Sequence, residues 1–357
     1  MEAKELIIVI PAYEPDHLLL ELIDKLNGYF SGHKMIVVND GSKGKDELFK
    51  DAESKDNVIL LTHEENKGKG AALKTAFSYI SGLEGKYVIV TADSDGQHKP
   101  EDIYRVYNFY KKYNTGLVLG SRKFDGDIPA RSAFGNNCAR FLLQLCNGIR
   151  LNDTQTGLRC FGSDLIPFLL SITGNRYEYE MDMLSLAKQR NIPIHEIAIE
   201  TVYINNNSGS HFRPVRDFSR ICSVILKYTI PLFISLLFYI GGFIYLFIQF
   251  NRMEEFVENS FLFAVLFSGM FALLLHLAIN GLGVFYGNRF VYKKRRSALY
   301  YILGSLLVFG IAFELSYGLN ILIHIPWLSF MLGIIGAILL LALEVYLFAN
   351  KSKLYEE

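Results

Sequence analysis

Cysteine is scarce, with four in 357 residues (Cys138, Cys146, Cys160 and Cys222), and none falls in a Cys-x-x-Cys pair or at a zinc spacing. That leaves no disulfide framework and no structural zinc site, and it implies a reduced, cytoplasmic setting. Charge of one sign is not in excess either. Thirty-six basic residues face 36 acidic ones, so net charge points to no nucleic-acid partner. No Walker A pattern occurs anywhere. The first apolar run, Leu6 to Ile10, stops at Pro11 without a small-residue cleavage site, so it does not read as a secretory leader. Long hydrophobic runs are absent from the first 220 or so residues, whereas the remainder consists largely of Leu, Ile, Phe, Gly and Tyr.

What is present in the first part is an alternation of short β-branched runs with helical periodicities. Leu6–Ile10 and Tyr87–Ala92 read as buried strands, and Met35–Val38, Val58–Leu61 and Gly116–Gly120 as strands. Helical patterns follow them, with Leu18, Leu19, Leu22, Ile23 and Leu26 on one face of the first. This predicts a parallel sheet covered by helices on both faces. At the end of the fourth run stand Asp93 and Asp95, with Gln97 two residues on and Pro100-Glu-Asp102 opening a helix. Carboxylates at the carboxyl end of a central strand occupy the usual ligand position of an open α/β sheet. Two carboxylates and an amide oxygen suit a hard cation, Mg²⁺ or Mn²⁺, able to hold a diphosphate. Gly68 and Gly70 begin another helix, but Leu73 stands where a dinucleotide fingerprint has its third glycine. A glycine-rich helix start still favours an anion. Arg122, Arg131 and Arg159 lie in connecting or terminal segments, a placement that suits multidentate phosphate recognition.

In order, the chain writes Ile-Pro-Ala-Tyr, Val-Asn-Asp-Gly-Ser, Asn-Lys-Gly-Lys-Gly, Asp-Ser-Asp-Gly-Gln-His, Gly-Ser-Arg and Asp-Thr-Gln-Thr-Gly-Leu-Arg. As a set, over about residues 5–215, this resembles the family 2 glycosyltransferases of GT-A fold, and among them the polyprenyl-phosphate type related to dolichyl-phosphate mannose synthase. The resemblance implies a Rossmann-like α/β catalytic domain over 1–210. It places Pro11, Tyr13, Asp40, Lys69 and Asp93 at the nucleotide, and Asp93, Asp95 and Gln97 at the metal and sugar diphosphate. It gives Arg122 and Arg131, with Asp93 and Asp95, the catalytic work, and sets Arg122, Arg131 and Arg213 at the acceptor phosphate. Two departures stand out. The family's Pro-x-Tyr-Asn-Glu is here Tyr13-Glu14-Pro15, leaving Glu14 or Asp16 as the substitute. Its Arg-x-x-Gly-x-Ser-Lys is here Asn206 to Arg213, with His211 and Arg213 near the lost basic positions.

Residues 211–224 mix Arg213, Arg216 and Arg220 with Phe212, Phe218 and Ile221, as an amphipathic segment at a membrane surface does. Four apolar stretches follow, about 229–250, 259–285, 298–322 and 327–349, each long enough to span a bilayer. Gly287 to Tyr292 resembles the GtrA-like family of four-helix membrane proteins over about 225–350. The basic loop 289–296 belongs in the cytoplasm by the positive-inside rule, together with the catalytic domain and both termini, leaving 251–258 outside.

The expected activity is inverting transfer of a sugar from a nucleotide sugar, UDP-glucose or UDP-N-acetylglucosamine, to polyprenyl (undecaprenyl) phosphate at the cell membrane. The product would serve cell-envelope glycan assembly or modification. The expected partners are that donor, that acceptor and membrane lipid, with a homo-oligomer left open. Two alternatives stand beside it. The membrane half could also translocate the lipid-linked sugar. A processive polysaccharide synthase is disfavoured, because the single tryptophan, Trp327, lies outside any Gln-x-x-Arg-Trp motif.

Overall fold

A computed structural model of the chain describes residues 5–30, 32–122, 136–137, 139–140, 143–144, 149–200, 230–286, 295–336, 350–351 and 354–355. The chain divides into two compact units. One comprises Met1–Leu143, Ile149–Ile225 and Asn350–Glu357, and the other Gln144–Gly148 and Leu226–Ala349.

The first unit is built on an eight-stranded sheet. Its strands are β1 (Glu5–Ala12), β2 (Lys34–Asn39), β3 (Val58–Thr62), β4 (Tyr87–Thr91), β5 (Leu117–Arg122), β7 (Arg159–Gly162), β8 (Ile194–Ile199) and β10 (Leu354–Tyr355), in the order β10-β8-β5-β7-β4-β1-β2-β3. β6 (Ile149–Arg150) and β9 (Asn350–Lys351) form a separate parallel pair. All five strands expected from the β-branched runs are present. Each of β1 and β4 is buried along nearly its whole length, because helices cover both faces. On one face, alternate residues Leu6, Ile8 and Ile10 of β1 pack with α1 (Leu18–Tyr29), α2 (Asp46–Glu53) and α4 (Pro100–Tyr113) in a single cluster. Helix α3 (Lys69–Ser81) packs on β1 and β2 and meets the short α5 (Ile166–Leu170) and α6 (Glu178–Gln189). Its Phe77 stands edge-on to Phe161 of β7, with ring centroids 5.4 Å apart. A fully buried Ile or Phe contributes about 1.5–3 kcal/mol, so these paired faces hold the sheet between two helical layers.

Two sequence expectations are corrected. The sheet is mixed, not wholly parallel, because β7 runs antiparallel between β4 and β5. An antiparallel neighbour needs no crossover helix, so no βαβ rhythm announces it. Pro11 also does not end β1. Pairing with β4 stops at Val9–Thr91 while pairing with β2 continues to Ala12–Asn39, so the missing N–H of Pro11 falls where β4 no longer asks for one. Residues 133–147, which also read as a helix in the sequence, lie mostly outside the described residues. β1 and β4 are neighbours whose onward connections run to opposite sides, and this crevice at their carboxyl ends is where an α/β sheet places its ligands.

β10 caps the edge of β8 through Leu354–Glu196 and Tyr355–Ile197. Deleting residues 350–357 is expected to weaken the first unit by on the order of 1 kcal/mol per ladder hydrogen bond lost. Faster limited proteolysis around β8 checks this, and unchanged resistance argues against it.

The second unit contains α7 (Ile230–Asn251), α8 (Ser260–Tyr286) and α9 (Arg295–Ile323). Among the described residues one stretch, Val257–Leu275, is long and apolar enough to cross a membrane by length and composition. Leu236–Asn251, Phe309–Ile323 and Pro326–Gly336 are shorter apolar helices. Tyr239, Phe243, Phe261, Ala264, Val265, Ala272, Phe330 and Ile334 pack together at the centre. Phe243 stacks on Phe330 at 3.6 Å between centroids. Gly242 lets α7 approach Ser268 of α8, where a Cβ would meet the serine Cβ at 3.3 Å.

Candidate active site

The Asp-x-Asp segment leaves the carboxyl end of β4, and the crowded approach of two other segments fixes its first aspartate. Thr91 donates its hydroxyl to the carbonyl of Gly157 at 2.6 Å, tying the turn 152–158 to the strand end. Gly157 thereby backs onto Asp93 so closely that a Cβ there would lie 2.3 Å from Oδ2. Lys69, the first residue of α3, reaches the same carboxylate. Its Nζ lies 2.6 Å from Asp93 Oδ1 and 2.9 Å from Glu180 Oε1 of α6.

The two glycines around Lys69 explain that placement. Gly68 has φ +101°, and a Cβ on it would meet Arg176 Cγ at 2.4 Å; one on Gly70 would meet Tyr179 Cβ at 2.5 Å. Gly-x-Gly here serves the close packing of α3 against 175–179, which carries Lys69 over Glu180. The N–H of Ala71 donates to the carbonyl of Asn175 and closes the same contact.

Burial works against charge on Asp93 and Lys69 alike, and their mutual attraction outweighs it. Lys69 and His98 hold the Asp93 carboxyl well below the ordinary carboxylate range. Asp93 and Glu180 hold the Lys69 ammonium above its own range. Asp95 behaves oppositely, since burial and then the charge of Asp93 raise its carboxyl. Its Oδ1 accepts the N–H of Gln97 at 3.1 Å, a local turn that sets both side chains on one loop. Among the described residues neither ring nitrogen of buried His98 has a hydrogen-bond partner, and Nε2 lies 3.5 Å from Asp93 Oδ2. Hard oxygen donors, strained by their own like charge and crowded onto one loop, fit a divalent cation of the Mg²⁺ or Mn²⁺ kind.

Asp40 lies at the end of β2 and is buried. Its Oδ1 accepts from the N–H of Lys67 (2.9 Å) and pairs with His63 Nδ1 (2.7 Å), while Oδ2 accepts from the N–H of Gly68 (2.8 Å). The carboxylate therefore shapes the loop that launches Lys69. Asp40→Ala removes the partner of buried His63, of the buried N–H of Gly68 and of the partly buried N–H of Lys67, and is expected to cost about 3–5 kcal/mol of stability, measured by urea unfolding. A loss below 1 kcal/mol would show that the loop holds itself. Pro11 is buried at the end of β1 and Tyr13 half-buried just beyond it.

Arg122 donates from Nε (2.6 Å) and Nη2 (3.1 Å) to Asp153, a fork-to-carboxylate pair. Asp153 is held in turn, because Glu196 of β8 accepts the N–H groups of Asn152 and Asp153. Arg159 is corrected as a phosphate ligand. It is buried at the start of β7 and donates to the carbonyls of Thr156 and Glu180, buttressing the site from beneath. Arg131 and Arg213 lie outside the described residues. The structure thus gathers Lys69, Asp93, Asp95 and Gln97, sets Asp40 behind Lys69, and anchors Arg122 through Asp153. Sequence reasoning missed Glu180, His98, Asp153 and Gly157. The alternating acids of Glu178-Tyr-Glu-Met-Asp182 at a helix start were the signal for Glu180.

The family model for glycosyl transferase family 2 matches residues 7–159, which hold β1 to β5 and the Asp-x-Asp segment. Over 222 residues the chain is 32% identical to the UDP-N-acetylglucosamine–dolichyl-phosphate N-acetylglucosaminyltransferase of Methanococcus voltae, covering 57% of this chain and 88% of that protein. The chain belongs to glycosyl transferase family 2. This glycosyltransferase is also 27% identical over 243 residues to the dolichyl-phosphate beta-glucosyltransferase of Dictyostelium discoideum, covering 60% of this chain and 72% of that one. A solved structure of glucosyl-3-phosphoglycerate synthase from Mycobacterium tuberculosis, in complex with Mn²⁺, UDP and glucosyl-3-phosphoglycerate, matches 64% of this chain and 79% of its own at 17% identity and a TM-score of 0.45.

Proposed function

We propose that this family 2 glycosyltransferase transfers glucose or N-acetylglucosamine from its UDP derivative to a polyprenyl phosphate, inverting the anomeric centre. The observation that carries this is the pairing of Asp93 with Lys69 at the carboxyl end of β4, in a chain whose relatives act on dolichyl phosphate. An oxygen of the acceptor phosphate attacks the anomeric carbon as the bond to the diphosphate breaks. That phosphate is already anionic, so no strong protein base is required, and the residues act by positioning and by stabilising the departing diphosphate. Asp93, Asp95 and Gln97 would hold Mg²⁺ or Mn²⁺, which supplies Lewis-acid stabilisation of the leaving group when bound. Lys69 adds a second positive charge beside it. Arg122, oriented by Asp153, serves the phosphates from the β5 side, with Arg131 and Arg213 as its proposed companions.

The second unit is proposed as a GtrA-like membrane domain of four spans, following a membrane-surface segment at 211–224. Support comes from its outward apolar side chains, among them Leu237, Tyr245, Phe271 and Leu274. An even number of crossings is supported by the tail, since β10 pairs with β8 of the first unit after the chain has passed through 226–349. The catalytic sheet and both ends of the chain would then share the cytoplasmic side.

The test is incubation of purified protein with undecaprenyl phosphate and a panel of UDP- and GDP-sugars. A lipid-phosphate sugar from a UDP donor is expected, and no lipid product from any donor refutes the reading. Arg131→Lys is expected to cut transfer about tenfold or more with donor binding retained, because lysine keeps the charge and loses the paired donors. A wild-type rate would remove Arg131 from the acceptor site.

A further inference from the structure

Lys69 is more than a bystander to the carboxylates, because it already occupies one of the oxygens a divalent cation needs. Its Nζ makes its shortest contact, 2.6 Å, with Asp93 Oδ1, and a second of 2.9 Å with Glu180 Oε1. Only 16% of the lysine side chain and 8% of the Glu180 side chain are exposed, so solvent screens the ammonium little. An ammonium and a divalent cation on one carboxylate repel one another strongly at such separations. Lysine, however, is a point charge on a flexible four-carbon stem, and it can exchange one oxyanion for another without losing its charge pairing. Its backbone stays fixed meanwhile, because Gly68 and Gly70 lock the start of α3 onto 175–179.

We propose that Lys69 is an exchangeable counter-ion that competes with the divalent cation for Asp93 and is drawn off it by the nucleotide diphosphate. Resting on the metal-and-nucleotide reading above, this gives the site an order of assembly. Metal alone meets a lysine that resists it. Metal arriving with a diphosphate brings the lysine a replacement partner, so the two ligands reinforce each other. Glu180 is then a positioning residue that keeps the ammonium close to the site while it changes partners, and it touches neither donor nor acceptor.

The test is Mn²⁺ binding to the full-length protein in detergent, followed by the electron paramagnetic resonance signal of free Mn²⁺, with and without UDP, and with GDP in parallel. Lys69→Met is expected to bind Mn²⁺ alone about tenfold more tightly than wild type, because the competing charge is gone. It should bind UDP more weakly in the presence of Mn²⁺. Lys69→Arg, which keeps the charge, should leave Mn²⁺ affinity within about twofold of wild type. If Lys69→Met does not fold, Lys69→Gln serves for the neutral variant. A measurement on wild type stands beside them: mass-spectrometric labelling of Lys69 by an amine-reactive reagent should rise with Mn²⁺ alone and fall again when UDP is added. Mn²⁺ affinity unchanged or weaker in the neutral variant, or labelling indifferent to Mn²⁺, overturns the counter-ion role while the proposed function stands. If wild type binds neither Mn²⁺ nor a nucleotide diphosphate, both fall together.

Discussion

Asp93→Asn is expected to abolish sugar transfer and to destabilise the protein, whereas Asp95→Asn is expected to abolish transfer with no loss of stability. Both variants remove a charged oxygen from the loop that would carry the diphosphate, and a single lost electrostatic contact of this kind costs roughly 10²–10³ in rate. Their effects on stability diverge because the two carboxylates live in opposite surroundings. Asp93 balances Lys69, and losing it leaves the ammonium with Glu180 alone. Breaking a fully buried pair costs about 3–5 kcal/mol; Asp93 keeps 28% of its side chain exposed, so on the order of 2 kcal/mol is expected. Asp95 is pushed the other way by burial and by its neighbour's charge. A carboxyl whose affinity for its proton is higher in the folded than in the unfolded chain stabilises the fold below its unfolded pKa and loses that contribution as pH rises. As pH rises above the unfolded pKa, Asp95 therefore works increasingly against folding, and a neutral amide relieves this. Denaturant unfolding beside a radiolabelled transfer assay, both at pH 7 without added metal during unfolding, checks the pair. A wild-type transfer rate in Asp95→Asn, or wild-type stability in Asp93→Asn, contradicts this account.

Gly157→Ala should be nearly as damaging without touching any charged group. The new Cβ would lie 2.3 Å from Oδ2 and 2.5 Å from Oδ1 of Asp93. Asp93 cannot move without giving up its pairing with Lys69, and Thr91 pins the carbonyl of Gly157. The carboxylate must be displaced by the better part of an ångström, and misplacement on that scale costs about 10²-fold in rate. Overpacking adds about 1–3 kcal/mol of instability. Gly28→Ala in α1, where an added Cβ meets nothing within 4 Å, is the matched control and should leave rate and stability intact. If Gly157→Ala transfers sugar like wild type, Asp93 is not the fixed point of the site.

Much of this was legible before any coordinates. Four of the five β-branched runs are strands buried on both sides, and burial is what composition reports best; β3, at the sheet edge, is only half-buried. The Asp-x-Asp at the end of β4 was legible because a strand end followed by Pro100 and acidic residues leaves few alternatives. β7 was not legible, since four residues beginning with an arginine carry no alternation. Glu180 was not legible as a partner of Lys69, because they lie 111 positions apart in the chain and the packing of Gly68 and Gly70 against 175–179 is what joins them. The glycines near Lys69 were read toward an anion; their role in the fold is helix packing. Arg159 reads toward phosphate in the sequence, and its burial on β7, paired beside Thr91 of β4, makes it a buttress instead. Pairwise chemistry between distant segments is where a one-dimensional reading stops.

The edge strand β10 has a consequence for how the protein is made. A ribosome delivers β8 long before it delivers Leu354 and Tyr355, and everything from 226 to 349 is synthesised in between. Until then the backbone of β8 at Glu196 and Ile197 offers an unpaired margin, the kind that recruits stray strands. That margin can close only once Leu354 and Tyr355 have been made. On the membrane reading proposed above, a chain that inserted with an odd number of crossings would leave Leu354 and Tyr355 across the bilayer from β8 and the margin open to proteases.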